Sequence, residues 1–184
     1  MSIIDKIIAK TSNMMSEKVF SSGYFGDYRD FNYTENETPC YFKGKEIKSI
    51  TGWRDSKSIS TKWKVVTSKM GLDYKSVGIS TDSLPCKGIY NLFIIKPGCV
   101  CSNTYLVLNV FDSELEANNF LNFILTKFVK FFVSVQANSV NLTKKDFIFV
   151  PNMEDYSKLW TDQELYEHFG LSEDEISFIN SKIL

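Results

Sequence analysis

Glu46-Ile47-Lys48, with Asp27 or Asp30 upstream, has the residue types of a metal-dependent nuclease. Two carboxylates would hold a divalent ion and a lysine would stand beside the attacked phosphate. A triplet this short also arises by chance in a chain of this charge content. His168 is the only histidine, and a histidine-based triad would need it. No Gly-x-Ser-x-Gly elbow accompanies it. The cysteines are Cys40, Cys86, Cys99 and Cys101. Their spacing is not the repeated Cys-x2–4-Cys of a structural zinc site, so reduced thiols, half of them buried in strands, are expected. No Walker A segment or Gly-x-Gly-x-x-Gly occurs, and no Pro-Pro motif with which an adenine methyltransferase holds its flipped base. No catalytic, cofactor or metal residue is assigned to this chain.

Basic residues offer a different chemistry, that of gripping an anion. Between residues 43 and 75 nine basic residues face three acidic ones, whereas residues 152–184 hold two basic against eight acidic. The formal net charge of −1 hides this asymmetry, which lets one part of the chain face a polyanion while another repels it. Candidate phosphate or base contacts are Lys43, Lys45, Arg54, Lys57, Lys62, Lys69 and Lys75, with Lys144 and Lys145 further on. Arg54, one of two arginines, follows Trp53 in a basic loop and could grip a guanine through two hydrogen bonds. The ordinary alternative is an exposed arginine paired with Asp55 or with nothing.

The elements that must position these residues come from 184 residues, 43% hydrophobic and 15% aromatic. That suits one domain with a real core and no need of disulfides. No secretory signal is evident, and the longest apolar-rich run, Phe120 to Val135, is interrupted by Asn122, Lys127 and Lys130. A cytoplasmic location and no membrane partner are expected. Residues 2–19 carry a partial helical stripe, imperfect around Thr11–Asn13. An irregular loop is expected over 20–37. Strands are expected at Cys40–Phe42, Ile47–Gly52, Trp63–Ser68, Asn91–Ile95 and Tyr105–Phe111. Between them lie the polar link Arg54–Ser60 and a longer one, Gly71–Pro85, of a length that is often functional.

Ser113 and Glu116 stand at capping-box spacing before a helix expected to reach Val135–Asn138. Leu115, Asn118, Leu121, Leu125, Phe128, Phe132 and Val135 fall near one face, widened by Phe120, Ile124, Phe131 and Val133. A helix this apolar must be nearly enclosed. The stretch Leu142–Pro151 follows, with Phe147 and Phe149 expected as inward strand residues and Pro151 ending the ladder. Thr161 with Glu164, and Ser172 with Glu175, open two further helices, the first stopped by Gly170 and the second turning Ile176, Ile179 and Ile183 inward. The expected class is α+β: a twisted β-sheet packed on one long core helix, with a helical N-terminal lead-in and short C-terminal helices.

Several segments recur together in one order. They are Phe20-Ser-Ser-Gly-Tyr-Phe-Gly26, Trp63-Lys-Val, Cys101-Ser-Asn-Thr-Tyr-Leu-Val107, Thr126-Lys-Phe-Val-Lys-Phe131, Lys145-Asp-Phe-Ile-Phe-Val-Pro151, Trp160-Thr-Asp-Gln-Glu-Leu-Tyr166 and Phe169-Gly-Leu-Ser-Glu-Asp-Glu-Ile176. In this the chain resembles, over nearly its whole length, the C-terminal target recognition domain of adenine-specific type II (type IIG-like) restriction–modification methyltransferases. Asn103 departs from the acidic residue that relatives often have near that place. The links Arg54–Ser60 and Gly71–Pro85 match no family pattern, so no base contact is carried over. The resemblance implies a double-stranded DNA reader that serves a methyltransferase core in cis or in trans. S-adenosylmethionine, and magnesium where a nuclease is attached, would then belong to the parent enzyme. Residues 1–19 would be the junction to a missing core and 20–184 the recognition domain. Two other classes stay open: a module docking on a separate methyltransferase or nuclease subunit through an exposed apolar face of residues 3–19, and an autonomous nuclease using Glu46 and Lys48.

Overall fold

The computed structural model describes residues 2–70, 89, 91–136 and 141–183. Lys75, Cys86 and the link Gly71–Pro85 lie outside the described residues. Helix α1 (Ile3–Lys10) opens with Ser2 and Asp5, each side chain accepting from the other's backbone N–H. It stops at Thr11, whose extended backbone turns the chain toward a single 3-10 turn at Met15–Glu17. The weak point of the stripe around Thr11–Asn13 is thus a break between two pieces. Met15 N donates to Val150 O (2.8 Å) and Asn152 N to Asn13 O (2.9 Å), which fastens this break to the later chain.

Six strands form two three-stranded sheets among the described residues. They are β1 (Asn32–Tyr41), β2 (Ile47–Thr51), β3 (Trp63–Ser68), β4 (Phe93–Ile95), β5 (Val100–Cys101) and β6 (Tyr105–Phe111). The first sheet has the order β2-β1-β5, with β1 and β2 antiparallel and β5 parallel to β1. The second, β4-β3-β6, is antiparallel throughout. β1 begins earlier than its apolar residues suggest, because an irregularity between Tyr33 and Thr38 lets Asn32 and Tyr33 also pair with Thr51 and Ile50 of β2.

The second sheet is a wall between two cores. Val65, Leu106 and Leu108 face a core of helices, whereas Val66, Tyr105 and Val107 face the first sheet. A strand covered on both faces needs apolar residues in a run rather than in alternation. That is the pattern of Trp63–Ser68 and Tyr105–Phe111, and both strands lie where the sequence places them. The layers are helices, sheet, sheet.

The single long core helix is not observed. Two helices take its place, α2 (Glu114–Leu125) and α3 (Lys127–Gln136), parted by Thr126 in extended conformation (φ −61°, ψ 150°). The break is held from two sides. Thr126 Oγ1 accepts from Val129 N (3.2 Å), and the Asp162 carboxylate accepts from Lys127 N (3.1 Å) and Phe128 N (2.8 Å). These satisfy N–H groups that a helix start leaves without partners. The inward face also differs from expectation. Ala117, Phe120, Phe123 and Ile124 are buried, while Leu115 is 63% exposed, Leu125 44% and Val135 50%. The larger aromatic stripe wins because Phe111, Phe120, Phe123 and Tyr156 pack ring on ring, with centroids 5.0–6.1 Å apart.

Leu142–Pro151 is not a strand. Lys144–Phe147 forms a 3-10 turn, with Thr143 as its cap and the Asp146 carboxylate reaching back to Thr143 N (2.7 Å). Phe147 and Val150, three apart, point inward, Phe149 is half-buried and Ile148 exposed. Helices α4 (Asp162–Phe169) and α5 (Glu173–Lys182) start at the expected capping boxes, and Gly170 closes α4 at φ 65°. Ile179 and Ile183 are buried and Ile176 packs beside them. Residues Ile7, Met15 and Val19 of the lead-in lie in this same helical core. Among the described residues no helix is long and apolar enough to cross a membrane.

Candidate nucleic-acid interface

Three segments outside the sheets, together with Asn109 and Val110 of β6, meet around a cleft of about 710 Å³. The first runs from Ser16 to Tyr24. It is fixed below by Met15 and above by Phe20 N, which donates to Val107 O on β6 (2.9 Å). The second is the loop after β2, and the third is the turn at Lys144. Lys18, Lys57 and Lys144 thereby face one space, together with Ser16, Ser21 and Ser56. None of the three ammonium groups has an ion pair among the described residues.

The loop that carries Lys57 is closed by Asp55. Its carboxylate accepts from Tyr24 Oη (3.0 Å), Ile59 N (2.9 Å) and Ser60 N (2.8 Å), and Tyr24 Oη in turn accepts from Lys57 N (2.7 Å). Burial alone would raise the Asp55 pKa, but the hydrogen bonds from Ser60, Ile59 and Tyr24 outweigh it and hold the carboxyl below its ordinary range. Asp55 is therefore committed to its own loop and does not pair with Arg54. Arg54 N donates to Phe25 O (3.0 Å), while its side chain is exposed and has no ion pair among the described residues. The other arginine is spent. The Arg29 guanidinium closes on Asp27 through two hydrogen bonds (2.9 and 2.7 Å), its backbone N–H adds a third (3.0 Å) and Asn103 Nδ2 a fourth (2.8 Å). The Arg29 side chain's bonds first, then its backbone's, hold Asp27 down at about 2.

The remaining candidates scatter. Lys43 and Lys45 sit on the turn between β1 and β2, where the Lys45 ammonium lies 4.7 Å over the Phe93 ring. Lys62 pairs with Asp112. Lys69 is half-buried, its charge near enough to favour the Asp27 carboxylate. Lys145 is exposed beside Lys144 but does not line the cleft. So, among the described candidates, Lys57 and Lys144 come together and the others do not, while Lys75 lies outside the described residues. Lys18 joins them unforeseen. It lies two residues before the Phe20–Gly26 motif, and only the break after α1 brings it round. Lys64, counted with the basic stretch, is fully buried.

The nuclease triplet is differently occupied. Lys48 Nζ and Glu46 Oε1 pair at 3.3 Å on the surface, and Asp27 is taken by Arg29 and Asn103. Among the described residues no group of three or more His, Cys, Asp or Glu is placed to hold a metal ion. Cys40, Cys99 and Cys101 are buried free thiols, and burial pushes Cys101 up to about 12. His168 packs edge-on against Trp160 and Phe169, and burial together with Lys10 and Lys158 lowers its pKa. The apolar face of α1 is covered: Ile7 is buried and Lys6 pairs with Glu175 (2.6 Å), although Ile8 stays 54% exposed.

Two of the quoted motifs touch. Ser22 Oγ donates to Asn103 O (3.2 Å), and Gly23 (φ 74°) approaches so closely that a Cβ would sit 3.4 Å from that of Asn103. At Gly26 (φ 132°) a Cβ would come within 2.6 Å of the Phe31 ring, so glycine is required there. Comparison with protein-family models, with curated proteins and with solved structures returns no match.

Proposed function

We propose that this chain is a sequence-specific double-stranded DNA recognition domain of a bacterial restriction–modification enzyme, with no catalytic centre of its own. The observation that supports it is the cleft: three ammonium groups without ion pairs, from three separated segments, with Arg54 exposed three residues before Lys57 on the same loop. Lysines that meet phosphates set affinity and register but read no sequence. An arginine without an acidic partner can donate to O6 and N7 of guanine in the major groove. In this reading S-adenosylmethionine, and magnesium where a nuclease is attached, act in a methyltransferase core in cis or in trans and not in this chain.

Selection of binding sites from random duplex DNA at low salt tests the reading. A short enriched motif is expected. On that motif Arg54→Ala lowers discrimination by about 1–3 kcal/mol at one position. Lys57→Ala and Lys144→Ala weaken binding on all sequences alike, each reducing the salt slope by about one. Equal losses on cognate and scrambled DNA for all three variants would overturn the division of roles. No enrichment, with or without an added methyltransferase core, would overturn the function.

A further inference from the structure

The cleft holds more chemistry than contact with a duplex backbone uses. Its volume of about 710 Å³ falls within the usual range for small-ligand sites, about 300–1,000 Å³. Besides the three ammonium groups, its lining includes the half-buried Phe20 ring. Asn109 also lines it, its Oδ1 accepting from Val110 N (2.9 Å) and its amide N–H groups unpartnered among the described residues. The Glu17 carboxylate has no ion pair. The Lys57 ammonium rests 5.6 Å over the Phe20 ring, so a cation and an aromatic surface are neighbours on one wall.

We propose that the cleft binds one unstacked nucleotide, its phosphate among Lys18, Lys57 and Lys144 and its base against Phe20. The Lys57 ammonium leaves the ring for the phosphate, and the base takes the vacated face. Base–aromatic stacking of this kind tolerates any base, because every base has a π-face. Asn109 as donor and Glu17 as acceptor are the two groups that meet its edge. The proposal rests on the DNA reading and deepens it. The chain holds a nucleotide out of the stack, at a strand end or an unpaired position, as well as touching paired DNA.

Titration of the folded chain with thymidine 5′-monophosphate, 2′-deoxyadenosine 5′-monophosphate, inorganic phosphate and the unphosphorylated nucleosides tests this, followed by NMR shifts and calorimetry. Both mononucleotides should bind at least tenfold more tightly than inorganic phosphate, shifting resonances of residues 16–24, 56–57 and 144. Nucleosides should not bind measurably. Phe20→Leu should erase the preference over inorganic phosphate, while Lys57→Ala and Lys144→Ala weaken both ligands. Shared melting behaviour of Phe20→Leu and the parent chain shows that the variant folds. Equal binding of mononucleotide and inorganic phosphate, or shifts outside the cleft, would overturn the proposal. Duplex selection without mononucleotide binding would sink this inference alone. Mononucleotide binding without any duplex selection would sink the DNA reading and leave the nucleotide site.

Discussion

Lys57 and Lys64 are seven positions apart and have opposite surroundings. Lys57 opens onto the cleft. Lys64 is fully buried, and the three N–H groups of its ammonium are shared among the carbonyls of Ile59 (3.3 Å), Ser60 (3.0 Å), Lys62 (2.6 Å) and Lys96 (3.4 Å). One charge thus ties the turn before β3 to the end of β4. Burial lowers its pKa to about 8, against the pull of Cys101, Cys99 and Asp55, so it stays mainly protonated at pH 7. Lys64→Met keeps the volume but strands four acceptors, and a loss of roughly 2–5 kcal/mol is expected. Denaturant unfolding reads it directly; a loss under about 1 kcal/mol would show that water replaces the ammonium. The sequence could not separate the two lysines. Lys64 lies between Trp63 and Val65 as a polar residue on an exposed face would, and nothing in the spacing shows that the turn just before it folds three carbonyls back onto its ammonium or that Lys96 adds a fourth. Arg54 was legible as a candidate. That Asp55 would be engaged elsewhere was not.

Among the elements, β2, β3, β4 and β6 were readable, whereas β5, most of β1 and two helical features were not. β3 and β6 are runs of β-branched and aromatic residues with no competing period, so burial on both faces gives one answer. The stretch now divided into α2 and α3 carries apolar residues on more than one helical face. Local spacing therefore supports a single helix as well as two. The deciding group is Asp162, 34–35 residues away from the N–H groups it accepts from. Asp162→Ala should cost about 1–2 kcal/mol, as loss of a helix cap does. It should loosen the start of α3, seen as faster amide exchange at Lys127 and Phe128. Unchanged exchange there would assign the break to Thr126 alone. For Leu142–Pro151 the signal was present. Thr143 and Asp146 stand at capping spacing, but the alternation of Phe147 and Phe149 gave the competing period of two.

Across the whole molecule, buried acids set the response to alkali. Cys40, Cys101, Tyr156 and Tyr166 all have pKa values raised first by burial. An unfolded thiol ionises near 9 and a phenol near 10, whereas Cys101 in the fold holds its proton to about 12. Their contribution to stability is complete below pH 9 and is lost as pH rises toward the folded values. Lys64 runs the other way between about 8 and 10.5. It is one group against at least four, so the melting temperature should fall between pH 9 and 11, and Cys101→Ala should flatten the slope. A flat or rising profile in the parent chain would contradict this.

The wall made by β3 and β6 joins these scales. Trp53 packs on one side of it and Trp160 lies in the core on the other. The cleft is tied to the same wall, because Phe20 is bonded to Val107. Heat therefore has one structure to melt, and the summed fluorescence of the three tryptophans, Trp63 on the wall itself included, should report a single transition. Anything seated in the cleft shifts that transition by mass action. A plate of oligonucleotides could then be ranked by temperature alone, with no label on either partner.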